Sequence, residues 1–374
     1  MRIVVAPQEF KGSLTAIEAT HAIANGLRAA LPDATIVEVP MSDGGPGLVD
    51  AMLAAGGGER VETVVRDPLM REIRASWALL ARDAPRTAVI EMAAASGLVL
   101  LMPSERDPLA ATTFGTGELI RAALDRGCER VIVGVGGSAT VDAGAGAMQA
   151  LGVGLLDAAG NDLPRGGAAL ARLDRIDFSL RDARLGQTEI RIAADVRNTL
   201  CGPTGAAAMF GPQKGASPMD VSSLEAALQY FAAIVHRDVG VDVLALSGGG
   251  AAGGLAAGLA ALAGATIASG FDVVATAVGL DAAIASADVV VTGEGRLDAQ
   301  TAYGKTVGGV ATLARKHGKR VVVIAGSVDA TYDPSGGAFD VAESVIQPGM
   351  SVDDAMRNAS ELLVAAAERV AQAL

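Results

Sequence analysis

Residues 131–146 read VIVGVGGSATVDAGAG, and no other stretch constrains the fold as tightly. Four β-branched residues (Val131, Ile132, Val133, Val135) run into Gly136-Gly137-Ser138-Ala139-Thr140, and a small-residue helical pattern follows. A buried strand that ends in a glycine turn and opens a helix leaves unpaired backbone N–H groups at the helix start. With the helix dipole behind them they make an anion site that needs no basic side chain. Two similar turns are expected, Met41-Ser42-Asp43-Gly44-Gly45 after the strand ATIVEVP and Thr292-Gly293-Glu294-Gly295 after DVVV. Two of the three carry carboxylates, which points to a phosphorylated ligand with a metal rather than a bare anion.

The same rhythm recurs at both chain ends. Strands are expected at Arg2–Ala6, Ala34–Pro40, Asp288–Thr292, Arg320–Ala325 and Glu343–Ile346. Helices are expected at Ala16–Leu31, Gly47–Ala55, Val273–Ala287, Val307–His317 and Val352–Ala373. Val/Ile-rich strands alternating with helices are the α/β signature. Arg60–Ile90 instead holds alternating extended segments that suggest hairpins or a mixed sheet. The expected architecture is therefore α/β with two domains. A flavodoxin/Rossmann-like parallel-sheet domain is formed by both chain ends (1–60 and 285–374), with a mixed α/β domain (61–284) inserted. Five parallel strands would take flavodoxin-like order, and Pro7–Ser13, Asp43–Gly45 and Gly293–Gly295 would gather outside the strand carboxyl ends.

Bulk composition excludes several function classes. With 374 residues, 51% of them hydrophobic and 19% charged, the chain is globular and large enough for two cores. A net charge of −12 and no dense Lys/Arg run argue against nucleic acid. Arg315–Arg320 reads as a helix end with a glycine cap. Cys128 and Cys201 are the only cysteines, so a disulfide framework is excluded and a reducing compartment suits the chain. Three scattered histidines do not make a zinc site. The uncharged stretch Ser247–Phe271 is mostly Gly and Ala and reads as a loop leading into a buried helix, not a membrane span. IVVA at the N-terminus is too short for a secretory signal. A cytoplasmic protein is expected, and its oligomeric state, homo-oligomer included, stays open.

Candidate site residues each carry a plainer alternative. Phe10-Lys11-Gly12-Ser13 is like a truncated phosphate loop without Walker spacing, Lys11 meeting phosphate and Ser13 capping a helix or reaching a metal. It reads equally well as a solvated turn with Ser13 or Thr15 as N-cap. Asp43, ahead of Gly44 and Gly45, is a metal or substrate-hydroxyl ligand or a common turn aspartate. Glu294 and Asp298, in GEGRLDAQTAYGK, are candidate metal ligands, with Gly295 and Lys305 beside phosphate. Asp195 ends the strand IRIAAD before a Gly/Pro loop, suitably for accepting a proton from a substrate hydroxyl; its alternative is an Asx turn or cap. Lys214, in Gly211-Pro212-Gln213-Lys214-Gly215, offers a cation on a constrained loop, and Arg66, Arg71 and Arg197 are candidate carboxylate clamps. Gly134–Ala139 also fits the dinucleotide fingerprint G-x-G-x-x-A with Asp157 downstream, but 157–162 reads as a turn and no second nucleotide half is visible.

Together these segments resemble the type I glycerate kinases. The series runs F-K-G-S-L (10–14), D-G-G (43–45), E-M-A-x-A-S-G-L (91–98), G-T-G-E-L-I (115–120) and G-G-S-A-T-x-D (136–142). It continues with D-V-x-N (195–198), G-P-x-G-A-A (202–207), F-G-P-Q-K-G-A (210–216), G-A-A-G-G (250–254) and G-E-G-x-L-D-x-Q-T (293–301). The resemblance implies phosphoryl transfer from ATP to D-glycerate, usually giving 2-phosphoglycerate, in an interdomain cleft with Mg²⁺. On that reading Asp195 is the proton acceptor, and Lys11 and Lys214 meet phosphate. Asp43, Glu294 and Asp298 hold metal or substrate hydroxyls, and Gly136, Gly137, Ser138 and Thr140 cradle an anionic group. Three departures from the family pattern touch polar positions: Gln8-Glu9 for Asp-Ser, Pro46 for Glu, and Val141 for Asn. They motivate a rival reading as a kinase of another small hydroxy or sugar acid. An NAD-linked dehydrogenase, resting on the fingerprint, is a further rival. A plain anion-binding module is disfavoured by the carboxylates.

Overall fold

The structure is a computed structural model that describes residues 1–81, 85–297, 306–329, 338–347 and 349–374. In chain order its strands are β1 (Arg2–Val5), β2 (Thr35–Glu38), β3 (Gly58–Arg66), β4 (Glu72–Leu80), β5 (Thr87–Glu91), β6 (Arg130–Gly134) and β7 (Gly154–Leu156). They continue with β8 (Arg175–Asp177), β9 (Glu189–Ala193), β10 (Thr266–Ala268), β11 (Val289–Leu297), β12 (Arg320–Val328) and β13 (Val341–Ser344). The chain divides into two compact units, one of residues 1–43, 50–57 and 270–374, the other of 44–49 and 58–269.

The first unit carries an all-parallel five-stranded sheet in the order β13-β12-β11-β1-β2. Numbered within the unit this is 2-1-3-4-5 read from the other edge, the flavodoxin-like order, with ligand loops expected at the strand carboxyl ends. Ile3, Val5, Val291, Val322 and Ile324 fill the core beneath the helices Ala16–Ala30 and Ala359–Ala371. Those two helices pack closely because Gly26 has no side chain: a Cβ there would lie 2.3 Å from the Val364 carbonyl oxygen. Thr15 starts the first helix through a capping box with Glu18, so Thr15 rather than Ser13 is its cap.

Three expectations need correction here. The helix expected over 273–287 is two, Gly270–Val278 and Leu280–Ala285, separated by Gly279 in the left-handed conformation. The helix expected over 352–373 breaks at Asn358, whose backbone N–H and side chain both donate to the Asp354 carbonyl and close the first helix there. Thr292–Gly295 is not a turn. β11 runs through it to Leu297, with Gly293 opposite Ile324 and Glu294 opposite Ala325, because the glycine leaves room for the neighbouring strand. A Cβ on Gly293 would sit 2.5 Å from the Ile324 carbonyl oxygen.

The second unit holds a mixed six-stranded sheet, β10-β9-β6-β5-β4-β3, and a small antiparallel pair, β7-β8. β3 and β4 form the hairpin anticipated from alternation, and β5, β6, β9 and β10 are parallel. Trp77 on β4 is fully buried and donates its indole N–H to Thr63 at 2.9 Å, so its one polar atom is satisfied inside the core. The Gly/Ala stretch yields the buried helix Leu255–Ala263. Among the described residues, no helix is long and apolar enough to cross a membrane.

Candidate active site

In the first unit the carboxyl ends of β1 and β11 bring several of the expected residues together. Past β1 the chain stays paired, Ala6 N–H donating to Val291 and Gln8 N–H to the Gly293 carbonyl, both at 2.8 Å. The Gln8 side chain, itself buried, donates to the Asp43 carboxylate at 3.1 Å. Gln8 thus ties Asp43 to the strand that carries Glu294, which is also buried. Burial pushes the Glu9 carboxyl upward and the nearby Asp43 charge adds to this, while Lys11 opposes it. Lys11 is exposed at the tip of a tight turn in which Phe10 N–H donates to Leu14 and both the N–H and the hydroxyl of Ser13 donate to the Phe10 carbonyl. Gly295 faces this turn, the position of a Cβ lying 3.4 Å from Lys11 N. Asp298 and Lys305 lie outside the described residues.

The donor set suits Mg²⁺ in its chemistry. Asp43 and Glu294 offer hard oxygen donors at the carboxyl ends of one sheet, and this ion needs one or two carboxylates when phosphate and water complete its shell. Among the described residues there is no group of three or more His, Cys, Asp or Glu side chains able to hold a metal by protein ligands alone.

In the second unit the carboxyl ends of β6 and β9 are covered by backbone. A Cβ on Gly44 would lie 2.6 Å from the Ala193 carbonyl oxygen, and one on Gly136 would lie 2.8 Å from Gly45 Cα and 3.2 Å from Pro46 Cδ. Glycine is required because the main chains touch. Asp195 stands exposed two residues beyond β9, and Gly136 and Gly137 begin just beyond β6, the strand paired with β9. The Gly136–Thr140 turn is held on one side by Ser96–Leu98, since Ala139 N–H donates to the Ser96 carbonyl and Leu98 N–H to the Gly137 carbonyl. On the other side the Lys214 ammonium donates to Ser138 Oγ at 2.8 Å and to the Thr140 carbonyl at 2.7 Å. Lys214 is 1% exposed, and burial pulls its ammonium down to about 7 against the favourable charge of Asp142.

Asp142 is the residue that sequence reasoning missed. Its carboxylate is fully buried and accepts from Thr113 N–H and hydroxyl, the Thr112 hydroxyl, and Gly144 and Gly146 N–H. Burial pushes this carboxyl up, and the donors from Thr113, Gly146 and Gly144 pull it back. One side chain therefore caps two helices, Phe114–Asp125 and Ala145–Ala150. This removes the helix-dipole contribution expected at the Gly136–Thr140 turn and leaves the turn's own backbone. The helix after the glycine turn starts only at Ala145, and the negative charge at its N-terminus is the protein's own. Glu91 does likewise for Leu48–Gly56, accepting from Val49 N–H at 2.8 Å. The dinucleotide fingerprint loses its physical basis here too, because no helix N-terminus is left for a pyrophosphate. An aspartate just ahead of a small-residue helix was the available signal.

The arginines divide. Arg66 ends the edge strand β3, pairs with Glu72 at 3.6 Å and is three strands from β6. Arg71 is engaged by Asp67 and Glu105 and by the Leu100 carbonyl, so it is corrected to a structural role. Arg197 is exposed in the loop after Asp195. Asp157 accepts from Ala159 and Asn161 N–H and is the turn residue its surroundings suggested.

Comparison with known proteins agrees over the full length. Residues 3–374 match the model of the glycerate kinase family. The chain is 44% identical over 375 residues to the glycerate kinase of Haemophilus influenzae, covering 100% of this chain and 99% of that protein. It is also 44% identical over 375 residues to the glycerate 2-kinase of Escherichia coli, covering 100% and 98%. The crystal structure of a Salmonella typhimurium LT2 protein proposed to be glycerate kinase 2 superposes with a TM-score of 0.89 at 47% identity, over 100% of this chain and 98% of that one. The buried backbone contacts at β6 and β9, the carboxylates at β1 and β11 and these full-length matches lead to one conclusion: the chain is an enzyme of the glycerate kinase family.

Proposed function

We propose that this enzyme transfers the γ-phosphoryl group of ATP to D-glycerate, giving 2-phosphoglycerate and ADP. The observation that carries this reading is the exposed Asp195 carboxylate, which leaves β9 beside the strand whose end opens the Gly136–Thr140 turn. Asp195 accepts the proton of the attacking hydroxyl as its oxygen bonds to phosphorus and the bond to the ADP oxygen breaks. The transfer is in line, so most of the remaining work is positioning and charge stabilisation. Lys11 meets phosphate oxygens from its exposed turn, with Ser13 and Gly295 beside it. The backbone of Gly44, Gly45, Gly136 and Gly137, with Ser138 and Thr140, lines an anionic group, Lys214 adds positive charge at the same turn, and Arg66 is the outlying anion contact. Asp43 and Glu294 would hold Mg²⁺, which neutralises charge on the triphosphate when bound.

One observation favours a second acceptor. Pro46, exposed and packed over Gly136, stands where the family pattern has glutamate, and Gln8-Glu9 moves a carboxylate by one position. A neutral rim beside the turn would admit a hydroxy acid other than glycerate. A coupled ADP-release assay with Mg-ATP and D-glycerate, L-glycerate, glycolate and longer sugar acids decides this. Turnover on D-glycerate, with ³¹P NMR showing the 2-phosphate, is expected. Turnover only on another acid would move the substrate, and silence without ATP binding would remove the kinase reading.

A further inference from the structure

One buried cation of the second unit does more than add charge to the turn it supports. Lys214 is as buried as the core aromatic residues, on the single 3₁₀ turn Pro212–Lys214. It has no ion-pair partner within 4 Å among the described residues, and the nearest favourable charge, Asp142, is already engaged by five donors. Removing an ammonium from water with only neutral acceptors opposes folding, and a methionine of similar length would serve packing better. Fold stability therefore does not explain the lysine.

Its two bonds do. Ser138 Oγ and the Thr140 carbonyl are two residues apart on one turn, and the ammonium closes the gap between them. The same Thr140 carbonyl is backed from another side by Gly253, where a Cβ would lie 1.9 Å away. Ala143 N–H donates to the Gly253 carbonyl, and Ala143, Ala252, Gly253 and Gly254 all have positive φ. Left-handed alanines persist only where surrounding structure dictates them. The turn is thus held by glycine backbone on one side and by one cation on another. Gly137, not Lys214, is the exposed part of it.

We propose that Lys214 is a positioning residue, whose buried ammonium fixes the backbone of the Gly136–Thr140 turn without touching phosphate or acceptor. This rests on the proposed function only in taking that turn as the seat of the anionic group. The charged groups around Lys214 among the described residues are Asp142, which favours the ammonium, and Arg106, whose guanidinium donates to the neighbouring Gln213 carbonyl at 3.4 Å. Because burial brings the ammonium near 7, the turn should loosen as the pH rises past that value.

The test uses full-length, ligand-free protein for amide hydrogen exchange over residues 136–146, and the coupled ADP-release assay between about pH 6 and 9. Lys214→Met is the main variant. Ser138→Ala removes one acceptor and serves if the first variant does not fold. Exchange in the segment should rise about tenfold in Lys214→Met and by less in Ser138→Ala, with first-unit peptides unchanged. The kcat should fall about a hundredfold, with the KM for ATP within a factor of about three. Wild-type kcat should decline above about pH 7, and Lys214→Met should lack that decline. Wild-type exchange in the folded variants would overturn the proposal, as would raised exchange with an unchanged kcat and pH profile. A kcat loss without any change in ligand-free exchange would make Lys214 a direct ligand and overturn it too. If no acceptor is phosphorylated by the wild type, the proposed function fails, while the exchange data still decide the role of Lys214.

Discussion

The two units treat charge at their strand ends in opposite ways. In the first, the edge formed by β1 and β11 gathers Gln8, Glu9, Lys11, Asp43 and Glu294, with Lys11 exposed, Glu9 and Asp43 half-buried and only Glu294 buried among these charges. In the second, the edge formed by β6 and β9 puts its charges inside, Lys214 under the glycine turn and Asp142 across two helix starts. The difference teaches how to separate roles. A charge reachable by a substrate can react with it or bind it. A charge sealed among backbone donors and acceptors acts on the backbone, and through it on whatever the backbone holds. Asp195, just past the end of β9, is an exposed carboxylate, and for that reason it is the candidate base.

If this contrast is right, the largest stability loss comes from the sealed carboxylate. Asp142→Ala would leave five donors without their acceptor and should cost about 3–5 kcal/mol in chemical denaturation. A loss below about 1 kcal/mol would break the comparison. Next comes the backbone packing. Gly253→Ala places a methyl group against the Thr140 carbonyl at positive φ and should cost about 2–4 kcal/mol. Gly318→Ala in the first unit has the same sign of φ but nothing within 4 Å, and should cost only about 1 kcal/mol. Equal costs would mean that strain rather than contact governs both.

The smallest effect belongs to the open edge. The Glu9 carboxyl is raised above its ordinary value, chiefly by burial and further by Asp43. Its stabilising contribution is therefore complete below the unfolded value of 4.5 and is lost as the pH rises through the folded one. Glu9→Gln should raise Tm slightly at neutral pH and leave it unchanged at pH 4. A fall at neutral pH would show Glu9 engaged in a favourable contact.

Much of the architecture was legible because the signals were local. Val/Ile runs alternating with helical segments announced the parallel sheet of the chain ends, and alternating extended segments over Arg60–Ile90 suggested hairpins or a mixed sheet, of which β3–β4 is one. What escaped depended on neighbours far along the chain. The glycines at 293 and 295 read as a turn in isolation, yet Gly293, with Gly326 against the Gly295 carbonyl, is the condition for β12 to approach β11. Gly211-Pro212-Gln213-Lys214-Gly215 read as a constrained loop offering a cation to phosphate. Only the fold, which seats Ser138 and Thr140 against that lysine, reveals that it is buried. Asp142 stood in the sequence motif, but its second helix starts about thirty residues earlier.

The account's central claim is that, at the ends of β6 and β9, the exposed carboxylate reacts and the sealed charges hold the main chain. Asp195→Asn tests it most directly, with turnover on D-glycerate, ATP binding and thermal midpoint measured on one preparation. The predicted result is a kcat lower by about 10²–10⁴ with ATP binding and Tm unchanged. Near-normal turnover with ATP binding intact would remove Asp195 from the base role and contradict the division of labour.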